Sequence, residues 1–189
     1  DQAVKNHDWV GVCNLLVVRT KPQPAVIFQL RNSDAKWAPN QLDVTGGGHY
    51  QAGETLYQGM REVQEEIGRN YQPKKATHIG RRLNISPDIY GQTRFYVADL
   101  FLVTENLPLE RYILQKDEVS ALVICPLKQL EKLFQKNQSF IAHGINSNKE
   151  KIQLEVTQQI FPPTWDNFYY KIITVIKRYL KKEKNLVYW

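Results

Sequence analysis

Three glutamates, Glu62, Glu65 and Glu66, stand at i, i+3 and i+4 within the segment MREVQEEI. On a helix that spacing places all three carboxylates on one face. Charges of one sign held so close repel one another, and a divalent cation removes that cost. Carboxylate oxygens suit Mg²⁺ or Mn²⁺, and Mg²⁺ keeps several waters and binds through substrate phosphates as well. The chemistry open to such a cluster is cation-assisted: charge on a phosphate is neutralised and the pKa of a bound water falls.

Taken alone, the triad also fits a solvated acidic helix face. Its neighbours argue otherwise. Gly46, Gly47 and Gly48 precede it. Without side-chain bulk, a backbone carbonyl there can reach the same cation and N–H groups can face a phosphate. Arg61 adjoins the first carboxylate and can hold one in a forked ion pair. Val63 and Ile67 fall on the opposite face and would anchor the helix.

The segment GGHYQAGETLYQGMREVQEEIG (47–68) resembles the Nudix box. Gly48 and Glu54 keep the family's five-residue gap, and Arg61 to Gly68 fit its second half position by position. Two positions depart from it. Six residues, Thr55 to Met60, separate Glu54 from Arg61 where the family has seven, and Arg69 occupies an apolar position. If the helix carried the missing residue, Glu54 would swing by about 100°; if the preceding loop absorbs it, Glu54 keeps its place. The Gly-Gly-His start and the short gap resemble relatives of isopentenyl diphosphate isomerase.

The resemblance implies an α/β/α sandwich with a mixed sheet, and hydrolysis of a phosphoanhydride in an organic diphosphate such as a nucleoside diphosphate derivative. It implies Mg²⁺ or Mn²⁺ on Glu62, Glu65, Glu66 and the Gly48 carbonyl. Glu54, Arg61, Glu65 and Glu118 would be the catalytic set, with Asp117 and Glu110 competing with Glu118 as proton acceptor. His49, Arg31 with Lys36, Trp37 and Arg94 are candidates for phosphate contact and for stacking on the organic group. Two rival functions stand beside hydrolysis. An isomerase of isopentenyl diphosphate needs a reactive cysteine, and Cys13 lies within an apolar run. A catalytically silent ligand-binding module would have no need of an intact triad.

The chain of 189 residues with 42% hydrophobic and 23% charged residues suits one globular domain. We expect a core over about 9–135 and a C-terminal extension with a helix over about 151–182. Its net charge of +6 fits a polyanionic ligand, and fits equally a solvated basic surface or contact with nucleic acid or membrane. No apolar run approaches the roughly 18 residues of a membrane span. Cys13 and Cys125 lack a Cys-x-x-Cys partner and read as buried thiols in a reducing compartment. The expected setting is cytoplasmic and the expected partner a small diphosphate, without nucleic acid; a homodimer stays open. The first residue is Asp1 rather than Met, so the natural start is also open.

The elements that must position these residues follow from hydrophobic period. Strands are expected at Trp9–Val18, Ala25–Leu30, Leu42–Thr45, Thr77–Ile85, Thr93–Thr104, Val119–Ile124 and Ile152–Val156, the first two as a hairpin. A helix is expected at about Thr55–Ile67, stopped by Gly68. A second begins at Pro126, and a third covers about Trp165–Lys182 with Phe168, Ile172, Ile173, Ile176 and Leu180 on its apolar side. Residues 31–40 and 136–151 read as loops.

Overall fold

A computed structural model describes residues 2–188. Strands β1 (Trp9–Arg19) and β2 (Ala25–Arg31) form the expected antiparallel hairpin, with Val17 opposite Ile27. Then come β3 (Leu42–Asp43), β4 (Gly46–His49), β5 (Thr77–Pro87), β6 (Thr93–Thr104), β7 (Val119–Pro126), β8 (Phe140–Asn146) and β9 (Lys151–Val156). The helices are α1 (Gln2–Asn6), α2 (Met60–Ile67), α3 (Leu127–Lys136) and α4 (Phe168–Leu180).

The sheet runs β5-β6-β1-β2-β7-β8-β9, with β3 added to β2 and β4 to β1. β1 and β6 are parallel over Trp9–Val18, and the other registered pairs are antiparallel. The sheet is therefore mixed, as expected. Alternation along β1 feeds two cores. Cys13, Leu15 and Val17 meet Met60, Val63 and Ile67 of α2 on one face. Val12, Leu16 and Val18 meet Leu130 of α3 and Phe168, Ile172 and Ile176 of α4 on the other. A sheet buried on both faces by helices is the expected α/β/α sandwich.

Several boundaries differ from the sequence reading. Residues 136–151 are not one loop: β8 lies within them, paired to β7 and β9. Its buried residues are Ala142 and Gly144 toward one core and Ile145 toward the other, too few and too small on either side to stand out as a hydrophobic run. Gly144 is required there, because a Cβ would collide with the Leu122 carbonyl. Helix α2 starts at Met60 rather than Thr55, since turns fill 51–59. The glycine run forms a strand, β4, after β3 has ended at Asp43. Pro126 ends β7 and stands just before α3 rather than inside its first turn. The terminal helix is shorter at both ends than 165–182.

Candidate active site at the fork of the sheet

β1 has two neighbours on the same edge. Val17–Arg19 pair with β2, while Val12–Leu15 pair with β4. Beyond that point β2 takes β3 as its own partner, Gln29 opposite Asp43. The sheet thus forks, and Thr45 sits at the apex. Its hydroxyl accepts from the Val17 N–H at 2.8 Å and donates to the Ile27 carbonyl, stitching the two arms. A cavity of about 340 Å³ fills the fork.

The glycines make β4 a strand with bare flanks. A Cβ on Gly47 would strike the Cys13 carbonyl, and one on Gly48 would strike the Glu62 carboxylate. α2 therefore lies directly against β4. Gly68 closes the helix with φ +67°, where Ile113 leaves no room for a side chain.

The three glutamates do not share one environment. Glu66 is 4% exposed. Its Oε2 accepts from the Gly47 N–H at 2.8 Å and from Gln29 Nε2 at 3.3 Å. Burial pushes its pKa up to about 8, with Gly47 opposing and Glu118 adding to the rise. Glu62 and Glu65 turn toward Arg61. That guanidinium meets Glu62 at 2.7 Å, Glu65 at 3.0 Å and Glu54 at 3.1 Å. The fork competes for carboxylate oxygens, and among the described residues no three acidic, histidine or cysteine groups converge to ligating distance. Glu54 also accepts from the Gln51 N–H at 2.7 Å. That bond, followed by Arg61, holds its carboxyl below the usual range.

Residues 51–59 absorb the shortened gap, and Tyr50 is their wedge. Its ring fits beneath Gly59 and against Gly11, where a Cβ would collide or crowd. Its hydroxyl reaches the Leu56 carbonyl at 3.2 Å and Asp99 at 3.3 Å. Glu54 consequently points at Arg61.

The remaining candidates line the cavity: Arg31, Lys36, Trp37, His49, Arg94 and Glu118. Arg31 and Trp37 engage each other. The guanidinium stands 5.2 Å from the ring centroid and donates to the Trp37 carbonyl. Trp37 Nε1 donates to Ser86 Oγ at 2.8 Å. Arg94 pairs with buried Asp88 at 3.1 Å. His49 has a lowered pKa, from burial first, against the raising effect of Glu62. The shift favours the uncharged imidazole, which can hydrogen-bond. Glu118 Oε1 accepts from Gln115 at 3.2 Å. Asp117 and Glu110 do not line the cavity.

The sequence reading missed the far wall. Arg82, Asn84 and Ser86 alternate along β5 and are all buried. Arg82 holds Asp166 through two bonds at 2.8 and 3.0 Å, and Asn84 accepts from Arg82 at 3.0 Å. The intervening Leu83 and Ile85 face outward. Gln29 and Asn14 were missed too, because single amides in apolar strands carry no spacing signal. The alternation RRLNIS beside Arg94 was the available clue to the wall.

Comparison with known proteins agrees with this geometry. The NUDIX domain model matches residues 8–144. An uncharacterized Nudix hydrolase of Clostridium acetobutylicum is 30% identical over 175 residues, covering 88% of this chain and 80% of the relative. Nudix hydrolase 3 of Arabidopsis thaliana is 29% identical over 162 residues, which span 77% of this chain but only 18% of that protein. A MutT/nudix family protein from Enterococcus faecalis has the same fold at TM-score 0.56 and 12% identity, over 91% of this chain and 62% of that one. Box, sandwich and relatives agree, and the chain belongs to the Nudix hydrolase family.

Proposed function

We propose that the protein is a divalent-cation-dependent hydrolase cleaving a phosphoanhydride in an organic diphosphate. The observation that carries this reading is the placement of Glu62 and Glu66 against the bare strand β4, where Gly47, Gly48 and Glu66 border a cavity that also holds Arg31 and Arg94. Acid on one side and cation on the other match a cation–diphosphate complex.

The donor set fits a hard cation: carboxylate oxygens of Glu62, Glu65 and Glu66 and the Gly48 carbonyl, with no sulfur or imidazole required. Bound there, Mg²⁺ or Mn²⁺ would neutralise charge on phosphate oxygens and acidify a water. The chain's own groups do the rest. Gly47 and Gln29 fix Glu66 by its Oε2 and leave Oε1 to ligate. Arg61 gathers Glu54, Glu62 and Glu65 and limits their mutual repulsion. Arg31 and Arg94 supply positive charge to the diphosphate, and His49 donates a hydrogen bond. Trp37 offers an aromatic edge to the organic group. Glu118 takes the proton of the attacking water.

The isomerase alternative needs a reactive cysteine. Cys13 is fully buried, burial raises its thiol to about 12, and neither cysteine borders the cavity. No helix among the described residues is long and apolar enough to cross a membrane.

The test is a panel of nucleotide sugars, dinucleotides and isoprenoid diphosphates, assayed for phosphoanhydride cleavage with and without Mg²⁺ or Mn²⁺. We expect turnover of at least one class only with cation. Turnover unaffected by chelation would refute the cation-dependent reading. Cation binding without turnover of any class would favour a silent ligand-binding module.

A further inference from the structure

Gln29 lies on β2, is 1% exposed and borders the cavity in the fork. Its Nε2 donates to Glu66 Oε2 at 3.3 Å. Its Oε1 has no hydrogen-bond partner among the described residues. Buried acceptors are nearly always paired, and one left alone is destabilising. Turning the amide over would not relieve this. With Glu66 ionised, as a cation ligand must be, its Oε2 already accepts from Gly47 and the flip would press two bare oxygens together. A lone carbonyl oxygen on a buried residue that borders a polar cavity, at the other end of an amide bonded to a buried carboxylate, is an acceptor for a hydrogen bond from something that enters.

We propose that Gln29 is a positioning residue of the cation site: its amide N–H orients Glu66, and its Oε1 accepts a hydrogen bond from a hydration water of the bound divalent cation. The inference rests on the proposed hydrolase reading and adds a residue outside the box to it. The physical case is the difference between the two ends of one side chain. The nitrogen end is satisfied by the protein alone, whereas the oxygen end is not. Mg²⁺ retains part of its hydration shell when protein-bound, and those waters are strong donors. Groups that orient first ligands in this way commonly change metal affinity by about 10–100-fold when removed. A neutral amide does this without adding a further negative charge to Glu62, Glu65, Glu66 and Glu118. Asn14 and Asn84, the other amides bordering the cavity, make no hydrogen bond to any of those carboxylates among the described residues.

The test uses the full chain and Mn²⁺ alone, without substrate. Mn²⁺ affinity is measured by titration calorimetry and by the loss of the free-ion paramagnetic resonance signal. Thermal unfolding is followed in the same samples with and without the ion. Gln29→Met keeps length and burial and removes both polar ends. We expect its Mn²⁺ affinity to fall about tenfold or more, while metal-free stability stays level or rises because the orphaned oxygen is gone. Gln29→Glu places a carboxylate where the oxygen stood. We expect its metal-free stability to fall and the gain from Mn²⁺ to exceed that of the wild type. Wild-type affinity in Gln29→Met, or a metal-free loss in Gln29→Met that Mn²⁺ fully restores, would overturn the proposal and leave the hydrolase reading standing. Failure of the wild type to bind Mn²⁺ would bring down both. If Gln29→Met does not fold, Gln29→Glu decides: an ion-induced gain no larger than the wild type's overturns the proposal.

Discussion

Two arginines hold carboxylates in this molecule, on opposite sides of the sheet. Arg82 meets one, Asp166, at 2.8 Å, and both side chains are only 6% exposed. Asn84 accepts from it, Tyr188 donates to Asp166 at 2.6 Å, and the guanidinium lies 4.3 Å from the Phe168 centroid. Arg61 meets three, Glu54, Glu62 and Glu65, and is partly exposed, as is Glu65. One cation for one anion, both buried and bonded to each other, is a fixture of the fold. One cation among three anions is an unfinished balance of charge, and the excess is what the proposed divalent ion would complete. The ratio of charges distinguishes structure from site here better than the presence of an ion pair does.

The comparison breaks first on Asp166. Asp166→Ala leaves Arg82 buried without its counter-ion, and we expect a loss of about 3–5 kcal/mol in denaturant unfolding. A loss below about 1 kcal/mol would mean that water reaches Arg82 and that the pair is no fixture. Glu66→Gln should do the opposite. It keeps shape and removes only the charge that Glu66 would carry on a bound cation, so the metal-free fold should hold while turnover falls roughly 10²-fold or more. Glu65→Gln is expected to fall in the same direction and to leave Tm unchanged. Full activity in both would end the cation mechanism.

Glu105 sharpens the contrast through pH. It accepts from Arg69 at 2.7 Å, Tyr112 at 2.8 Å and Tyr71 at 2.9 Å, a second one-to-one pair. Burial opposes its ionisation, but Arg69 and the two phenols together lower its pKa from 4.5. A carboxyl with a depressed folded pKa adds stability above its unfolded value and loses it as pH falls through the folded one. Acid unfolding should therefore be steeper below about pH 4.5 in the wild type than in Glu105→Gln, which starts lower at pH 7 by about 1–2 kcal/mol. Equal acid limbs would contradict this. The smallest effect belongs to Lys177 and Glu131, paired at 2.6 Å but open to solvent. A double-mutant cycle on that pair should give no more than about 1 kcal/mol.

Much of this was legible in the sequence. Each strand with a strong apolar period was found, as were the helix stop at Gly68 and the family box. Motif spacing is local, so a local reading recovers it. Other features depended on contacts distant in sequence. Helix α2 begins late because Tyr50 holds residues 51–59 as turns under Gly59 and Gly11. The glycines became a strand only because β1 offers them an edge. Glu66 reads as an equal of Glu65, yet packing against β4 buries one and leaves the other in solvent. Gln29 gives no signal at all within AVIFQLR.

The alternation of β5 has a consequence for how the chain reaches its native state. Its apolar residues Leu83 and Ile85 face outward and its polar residues inward, the reverse of what burial of apolar surface favours. A slip of one residue against β6 would exchange the two sets and fill the cavity with leucine and isoleucine. What opposes that slip is the Arg82–Asp166 pair, which spans 84 residues, together with the Tyr188 N–H that caps the Ile79 carbonyl at the sheet's edge. The strand that walls the cavity is therefore synthesised long before the groups that lock its register. Refolding should show the cavity forming with the docking of residues 166–188 rather than with the pairing of β5 and β6, an order imposed by contact distance along the chain.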